Sequence, residues 1–305
     1  MTLSETQLAA ERATRAQEWS QAASLWERVY QQEQSAPVNY QLVRALVADQ
    51  QFAAAASYAR ESEAQYLAAD VAADVYLAAL IGKHEFISAR IVIKARQQST
   101  RWTATACATL STAETQAEQQ LQATLTTTMR QFYHLSDQPV VSHAERLQAA
   151  RHLTYQRYLT AAKFLLVDPF LHPLTRVEVL YTLYELRVPD EVQLQWLFDE
   201  RRLTTCPAEL LPLGTDTTSI ATQHALKAQL GNQDVFLYEN LRELLQLQLM
   251  YLYPQPGLVI SDPTAWVTVL IGQQTGNLPT SLTERQMTIV KIQQKIQQFS
   301  LDLQQ

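Results

Sequence analysis

Cysteine and glycine are both scarce in this chain, and each scarcity removes a class of function. Two cysteines, Cys107 and Cys206, occur in 305 residues. They build neither a disulfide framework nor a CxxC metal knuckle, so two free thiols in a reducing cytosol are expected. Six glycines occur: Gly82, Gly214, Gly231, Gly257, Gly272 and Gly276. Cradling a phosphate with backbone N–H groups needs glycines clustered after a strand, and neither GxGxxG nor GxxxxGK with a following Ser or Thr exists. Gly272 and Gly276 have the GxxxG spacing, but they close a short apolar segment and read as a helix end and loop.

Charge is low as well, at 18% of residues against 47% hydrophobic, with a net charge of −6. Glutamine and threonine supply much of the polar surface. The acidic balance leaves no general phosphate-neutralising surface, so nucleic acid is not an expected partner. The N-terminus, MTLSETQLAAERATRAQEW, carries charges where a signal peptide needs an apolar core. The longest uncharged apolar stretch, LLQLQLMYLYPQPGLVIS, is broken by glutamines and a PQPG turn, so no membrane span is expected. A cytoplasmic protein is the expectation.

Catalytic patterns are missing too. None of His84, His134, His143, His152, His172 and His224 forms HExxH or an i,i+4 pair, so no zinc site follows from spacing. His143 and Glu145 open a helix, His84 starts another and is expected at the surface, and His172 sits between prolines in a loop. Each is expected to be solvated or structural. Glu178 and Glu185 share a helical face, but Tyr181, Arg176 and Arg187 around them point to a surface charge network. No GxSxG nucleophile appears. Catalytic residues, metals and cofactors are therefore not expected.

What is present is a recurrence. Trp19, Phe52 and Phe86 each have an alanine three places on, at Ala22, Ala55 and Ala89, and Trp26, Ala59 and Ile93 seven places on. Ten and six places before the aromatics lie Ala9 and Ala13, Leu42 and Leu46, and Tyr76 and Leu80. Four-residue steps put each pair on one helical face, and the aromatic then opens a second helix whose small residue permits close approach. Each unit is an antiparallel helix pair that buries its face only by stacking on neighbours.

Over roughly residues 4–98 the period and pattern resemble the tetratricopeptide repeat. The second-helix aromatic, alanine and apolar positions are present in all three units. The first-helix tryptophan and glycine are not, Ala10, Val43 and Leu77 standing at the glycine position, and the closing proline is out of place. The resemblance implies a concave face lined by positions twelve, eight, five and four residues before each aromatic. Here these are Gln7, Glu11, Thr14 and Arg15; Tyr40, Arg44, Val47 and Ala48; and Asp74, Ala78, Ile81 and Gly82. Chaperone-binding members of the family clamp a terminal carboxylate with lysines and asparagines, and Glu11 and Asp74 are wrong for that client. The C-terminal half, with His172-Pro173-Leu174 and a hairpin-like segment at 192–206, is similar to tetratricopeptide-containing proteins of Gram-positive bacteria, a group without an assigned activity.

Helix-start pairs of serine with glutamate or glutamine three residues on, at Ser4–Gln7, Ser111–Glu114, Ser142–Glu145 and Ser281–Glu284, extend the helical reading. A long helix is expected from Ser111 through Leu121, Leu125 and Met129 to about His134, and SDQP at 136–139 is the expected boundary. Helices are then expected at about 143–167, 174–187, 219–230, 234–253, 263–273 and 281–303. VQLQWLF alternates as a strand does, Asp199 and Glu200 turn the chain, and RLTTC returns, which predicts a small β-hairpin. The expected fold is all-α: a helical-hairpin solenoid of about three repeats plus a long helix over 1–138, then a helical region over 139–305 with one hairpin.

In the last helix Ile289, Ile292, Ile296, Phe299 and Leu303 form a narrow apolar seam. Two heptads are short for joining two chains, so an intramolecular cap and a monomer are expected, with a homodimer through this helix as the alternative. The expected function is non-enzymatic: a scaffold holding a protein or peptide segment in its groove, without nucleic-acid or membrane partners. A peptide-responsive regulator is the first alternative, and an enzyme with an unrecognised site the second.

Overall fold

The structure, a computed structural model, describes residues 2–96, 100–197, 202–231, 234–278 and 280–302. Among them are sixteen α-helices and a single two-stranded antiparallel sheet, an all-α fold with one small hairpin. Two compact units divide the chain: 1–132 with 148–160, and 133–147 with 161–305.

In the first unit α1 (Leu3–Arg15) pairs with α2 (Trp19–Gln32), α3 (Ala36–Ala48) with α4 (Phe52–Glu61), and α6 (Asp70–Gly82) with α7 (Phe86–Ala95). A short α5 (Glu63–Ala68) is inserted before α6. The recurrent small residues Ala22, Ala55 and Ala89 are fully buried, and Trp26, Ala59 and Ile93 are buried behind them. Each first helix packs on the second helix of the preceding pair, and α8 (Thr100–Gln120) packs on α6 and α7 in the same manner, as a further first helix would.

The three links share one backbone conformation. Gln17, Gln50 and His84, each two residues before its aromatic, have φ of 59, 61 and 61°. In each, two N–H groups turn back onto the helix just ended: Gln17 to Thr14 and Glu18 to Ala13, Gln50 to Val47 and Gln51 to Leu46, His84 to Ile81 and Glu85 to Leu80. That is the Schellman closure, which satisfies the orphan carbonyls and usually carries glycine at the left-handed position. A side chain there is strained, so Gly at position 17, 50 or 84 should stabilise the protein by about 0.5–1 kcal/mol each. Thermal unfolding of Gln17→Gly, Gln50→Gly and His84→Gly checks this, and a lower Tm in all three would contradict it.

The sequence places Gly82 at a groove-facing position, but a Cβ there would stand 2.4 Å from the Phe52 ring. It faces the neighbouring helix pair, and the absent side chain is what lets Phe52 sit against α6. The long helix expected from Ser111 is two: α8 ends at Gln120, and α9 (Gln122–Tyr133) follows. Ser111 lies inside α8, where no capping is needed.

The expected boundary at 138/139 differs from the observed division because residues 148–160 belong to the first unit. Directed hydrogen bonds hold them there. Ile87 N–H donates to Arg151 O at 3.1 Å, Tyr155 N–H to Glu114 Oε1 at 2.8 Å, and Arg157 forks onto Glu118, its Nε 2.9 Å and Nη2 2.9 Å from the two oxygens. The single helix expected over 143–167 is accordingly broken at 151–154 into α10 (His143–Ala150) and α11 (Tyr155–Val167).

The second unit contains α12 (Pro173–Glu185), β1 (Val192–Gln195), β2 (Arg202–Thr205), α13 (Thr217–Leu230), α14 (Val235–Tyr251), α15 (Pro263–Thr275) and α16 (Glu284–Asp302). The hairpin pairs Val192 with Thr205 and Leu194 with Leu203. Val192 and Leu194 point inward and are buried, which gives two short strands the support that they lack alone in water. Its expected turn residues Asp199 and Glu200 lie outside the described residues.

Trp266 on α15 is fully buried at the centre of the α13–α16 core. Its Nε1 donates to Gln248 Oε1 at 2.9 Å, and its carbonyl accepts from Gln293 Nε2 at 3.0 Å, so two buried glutamines tie α14, α15 and α16 together. Ile289 and Ile296 of the seam are buried in this core, with Ile292 and Phe299 packed at its margin. The fifth seam residue, Leu303, lies outside the described residues. No helix among the described residues is long and apolar enough to cross a membrane.

Candidate functional site

The first candidate is a groove of about 400 Å³ in the first unit, lined by α1, α2 and α3. From α1 come Gln7, Glu11, Thr14 and Arg15, from α2 Trp26, and from α3 Pro37, Val38, Gln41 and Arg44. The four-residue step on α1 sets Gln7, Glu11 and Arg15 in a row. Thr14 turns inward, accepting from Trp26 Nε1 at 2.9 Å and donating to Ala10 O at 2.8 Å, which fixes the indole as the floor. Val38 is buried beside it. Glu11 and Arg15 are 3.4 Å apart on the solvent side, where such a pair adds little. Arg44 is exposed and makes no ion pair among the described residues.

Of the twelve positions that the resemblance places on a concave face, Gln7, Glu11, Thr14, Arg15 and Arg44 line this groove. The others do not line it. Tyr40 packs against Tyr66 of the inserted α5, ring centroids 6.4 Å apart. Asp74 accepts a 2.7 Å hydrogen bond from Trp102 Nε1, so α8 occupies the polar face of α6. Val47 and Ile81 are half-buried on α3 and α6 and do not reach the groove. Trp26, Pro37, Val38 and Gln41 were not legible beforehand, because they lie on the second helix and in the first turns of α3, outside the four repeating positions.

A second cavity, of about 520 Å³, opens in the second unit. Its wall gathers residues remote in sequence: Gln138 and His143, the Phe170–Pro173 loop, Arg176, the Gln195–Leu197 end of β1, and Lys295 and Phe299 of α16. His143 and His172 are both buried rather than solvated. His143 Nδ1 is 2.9 Å from Thr175 Oγ1 and its Nε2 3.1 Å from Gln138 O, and burial holds its pKa below the usual histidine value. His172 Nε2 is 3.1 Å from Phe299 O.

Arg176 also departs from expectation. It is 5% exposed and not part of a surface charge network. Its Nη2 donates to the carbonyls of Asp168 at 2.7 Å and Leu171 at 2.9 Å, which pins the loop before α12. Burial pushes its pKa down to about 10, against the upward pull of the Asp168 carboxylate.

Both cysteines are free, and no cluster of metal-ligating side chains occurs among the described residues. Comparison with protein-family models, curated proteins and solved structures finds no match for the chain.

Proposed function

We propose that the chain is a non-enzymatic binding protein of the tetratricopeptide type that holds an extended protein or peptide segment in the α1–α3 groove. The observation that carries this reading is the groove's construction. Equivalent positions on successive first helices, Glu11 on α1 and Arg44 on α3, face one cleft over an apolar floor of Trp26 and Val38. Three left-handed links of one kind support the repeat assignment.

The groove's chemistry names the segment. Among the described residues Arg44 has no ion-pair partner, and the indole and Val38 offer an apolar seat close by. A short segment with an acidic residue one or two places from an apolar one satisfies both. Selecting a random peptide display library on the immobilised protein should enrich such segments. An Arg44→Glu variant should bind the enriched peptide about tenfold or more weakly, with unchanged helical circular dichroism. A selection that enriches nothing, or equal affinity for both proteins, would overturn the proposal.

A further inference from the structure

The second-unit cavity has a charge arrangement that the binding groove does not explain. Arg176 is buried, and among the described residues its Nε lacks a hydrogen-bond partner while its terminal nitrogens reach only carbonyls, the third being Gln195 O at 3.4 Å. Among the described residues no carboxylate lies within ion-pair distance of it, and Asp168, whose charge acts on it from farther off, spends one oxygen on the Phe170 N–H at 2.9 Å. A buried guanidinium normally has an anionic partner, because removing its charge from water costs several kcal/mol.

A second cation faces the same cavity: Lys295, exposed at the rim with its Nζ 6.0 Å from the centre of the Phe299 ring. The walls between these charges are flat and apolar: Phe170, 85% exposed at the mouth, with Trp196 and Phe299. In volume the cavity lies within the usual range for small-molecule sites.

We infer that this cavity binds a small organic acid with a flat or acyl apolar body, its carboxylate held by Arg176 and Lys295 and its body against Phe170, Trp196 and Phe299. Arg pairs with carboxylates through directed, charge-assisted hydrogen bonds, and Nη1 of Arg176, held among the described residues only by the 3.4 Å contact with Gln195 O, is the donor suited to one. The proposal is independent of the peptide groove, which lies in the other unit.

Titration calorimetry and thermal shift of the full chain with 4-phenylbutyrate and octanoate, each beside its neutral amide, test it. At least one acid should bind saturably and raise the Tm, and its amide should not. Lys295→Glu, a rim substitution that leaves the core untouched, should weaken the acid about tenfold or more, and Phe170→Ala should weaken phenylbutyrate. Arg176→Lys should lose binding as well, and Lys295→Glu keeps the test valid if that buried variant misfolds. No binding by either acid, equal binding of acid and amide, or equal affinity in wild type and Lys295→Glu would each overturn the assignment.

Discussion

Removing residues 285–305 should abolish the cooperative unfolding of the second unit and drive the protein to aggregate. The deletion strips Ile289 and Ile296 from the core and uncovers the faces of α14 and α15 that they cover. Each fully buried isoleucine contributes about 2–3 kcal/mol, and the loss of Gln293 removes the side-chain hydrogen bond to the buried Trp266 carbonyl. These losses together are comparable to the whole stability of an ordinary domain, about 5–15 kcal/mol. Light scattering and a thermal melt of the truncated chain check this. Conversion of a stable dimer into a stable, cooperatively melting monomer would show that α16 joins two chains instead.

Glu85→Ala should cost about 3 kcal/mol, the largest effect expected of a single substitution in the first unit. The Glu85 side chain is fully buried at the start of α7, where Lys83 Nζ stands 2.7 Å away, Arg60 pairs with it and Gln148 Nε2 donates at 3.3 Å. One carboxylate thus joins α4, the α6–α7 link and the returning segment 148–160. Burial alone would raise its pKa, but the Lys83 hydrogen bond and the Arg60 charge outweigh it and hold the carboxyl below its ordinary 4.5. The folded state therefore binds the proton less readily than the unfolded chain. The contribution is present above pH ~4.5 and is lost as pH falls through the folded value. His152, kept below its ordinary 6.5 by burial, works in the same direction at higher pH, so stability begins to fall as pH drops below ~6.5. Urea unfolding at pH 7.5, 5.5 and 4 should show both steps in wild type and a weaker acid step in Glu85→Gln. An unchanged midpoint for Glu85→Ala at pH 7.5 would contradict the role given to this carboxylate.

How far the fold could be read from the sequence depended on the range of the interactions that set each element. The repeats were legible because Trp19, Phe52 and Phe86 sit at a fixed register to small, buried residues, and helix periodicity is local. The helix start expected at about 263 was legible for the same reason: the Asp262 side chain accepts from Ala265 N–H at 3.0 Å, and Pro263 occupies the first turn. Capping boxes were misplaced where serine and threonine compete. Thr2 with Glu5 caps α1 in place of Ser4 with Gln7, and Thr283 exchanges hydrogen bonds with Gln286 ahead of α16 where Ser281 was expected. The break at 151–154 was invisible because its cause, Glu114 and Glu118 reaching Tyr155 and Arg157, spans about forty residues.

The candidate sites divide in the same way. Five groove residues follow from repeat position, whereas Tyr40 and Asp74 were displaced by α5 and α8, whose packing on the repeats has no local signature. The second cavity gathers segments from residue 136 to residue 299, and no short motif could have announced it. One signal was available. Arg176 stands on a helix whose Val177, Val179, Leu180 and Leu183 are buried, and a charge on so apolar a helix is buried with them.

The central claim is that the α1–α3 groove of the first unit seats an extended segment. Hydrogen-exchange mass spectrometry of the full chain, with and without a saturating peptide enriched on wild type, tests it most directly. Protection is predicted in peptides covering 7–15 and 37–44, with the second unit unchanged. Protection confined to the second unit, or to segments of the first unit that exclude α1 and α3, would contradict it.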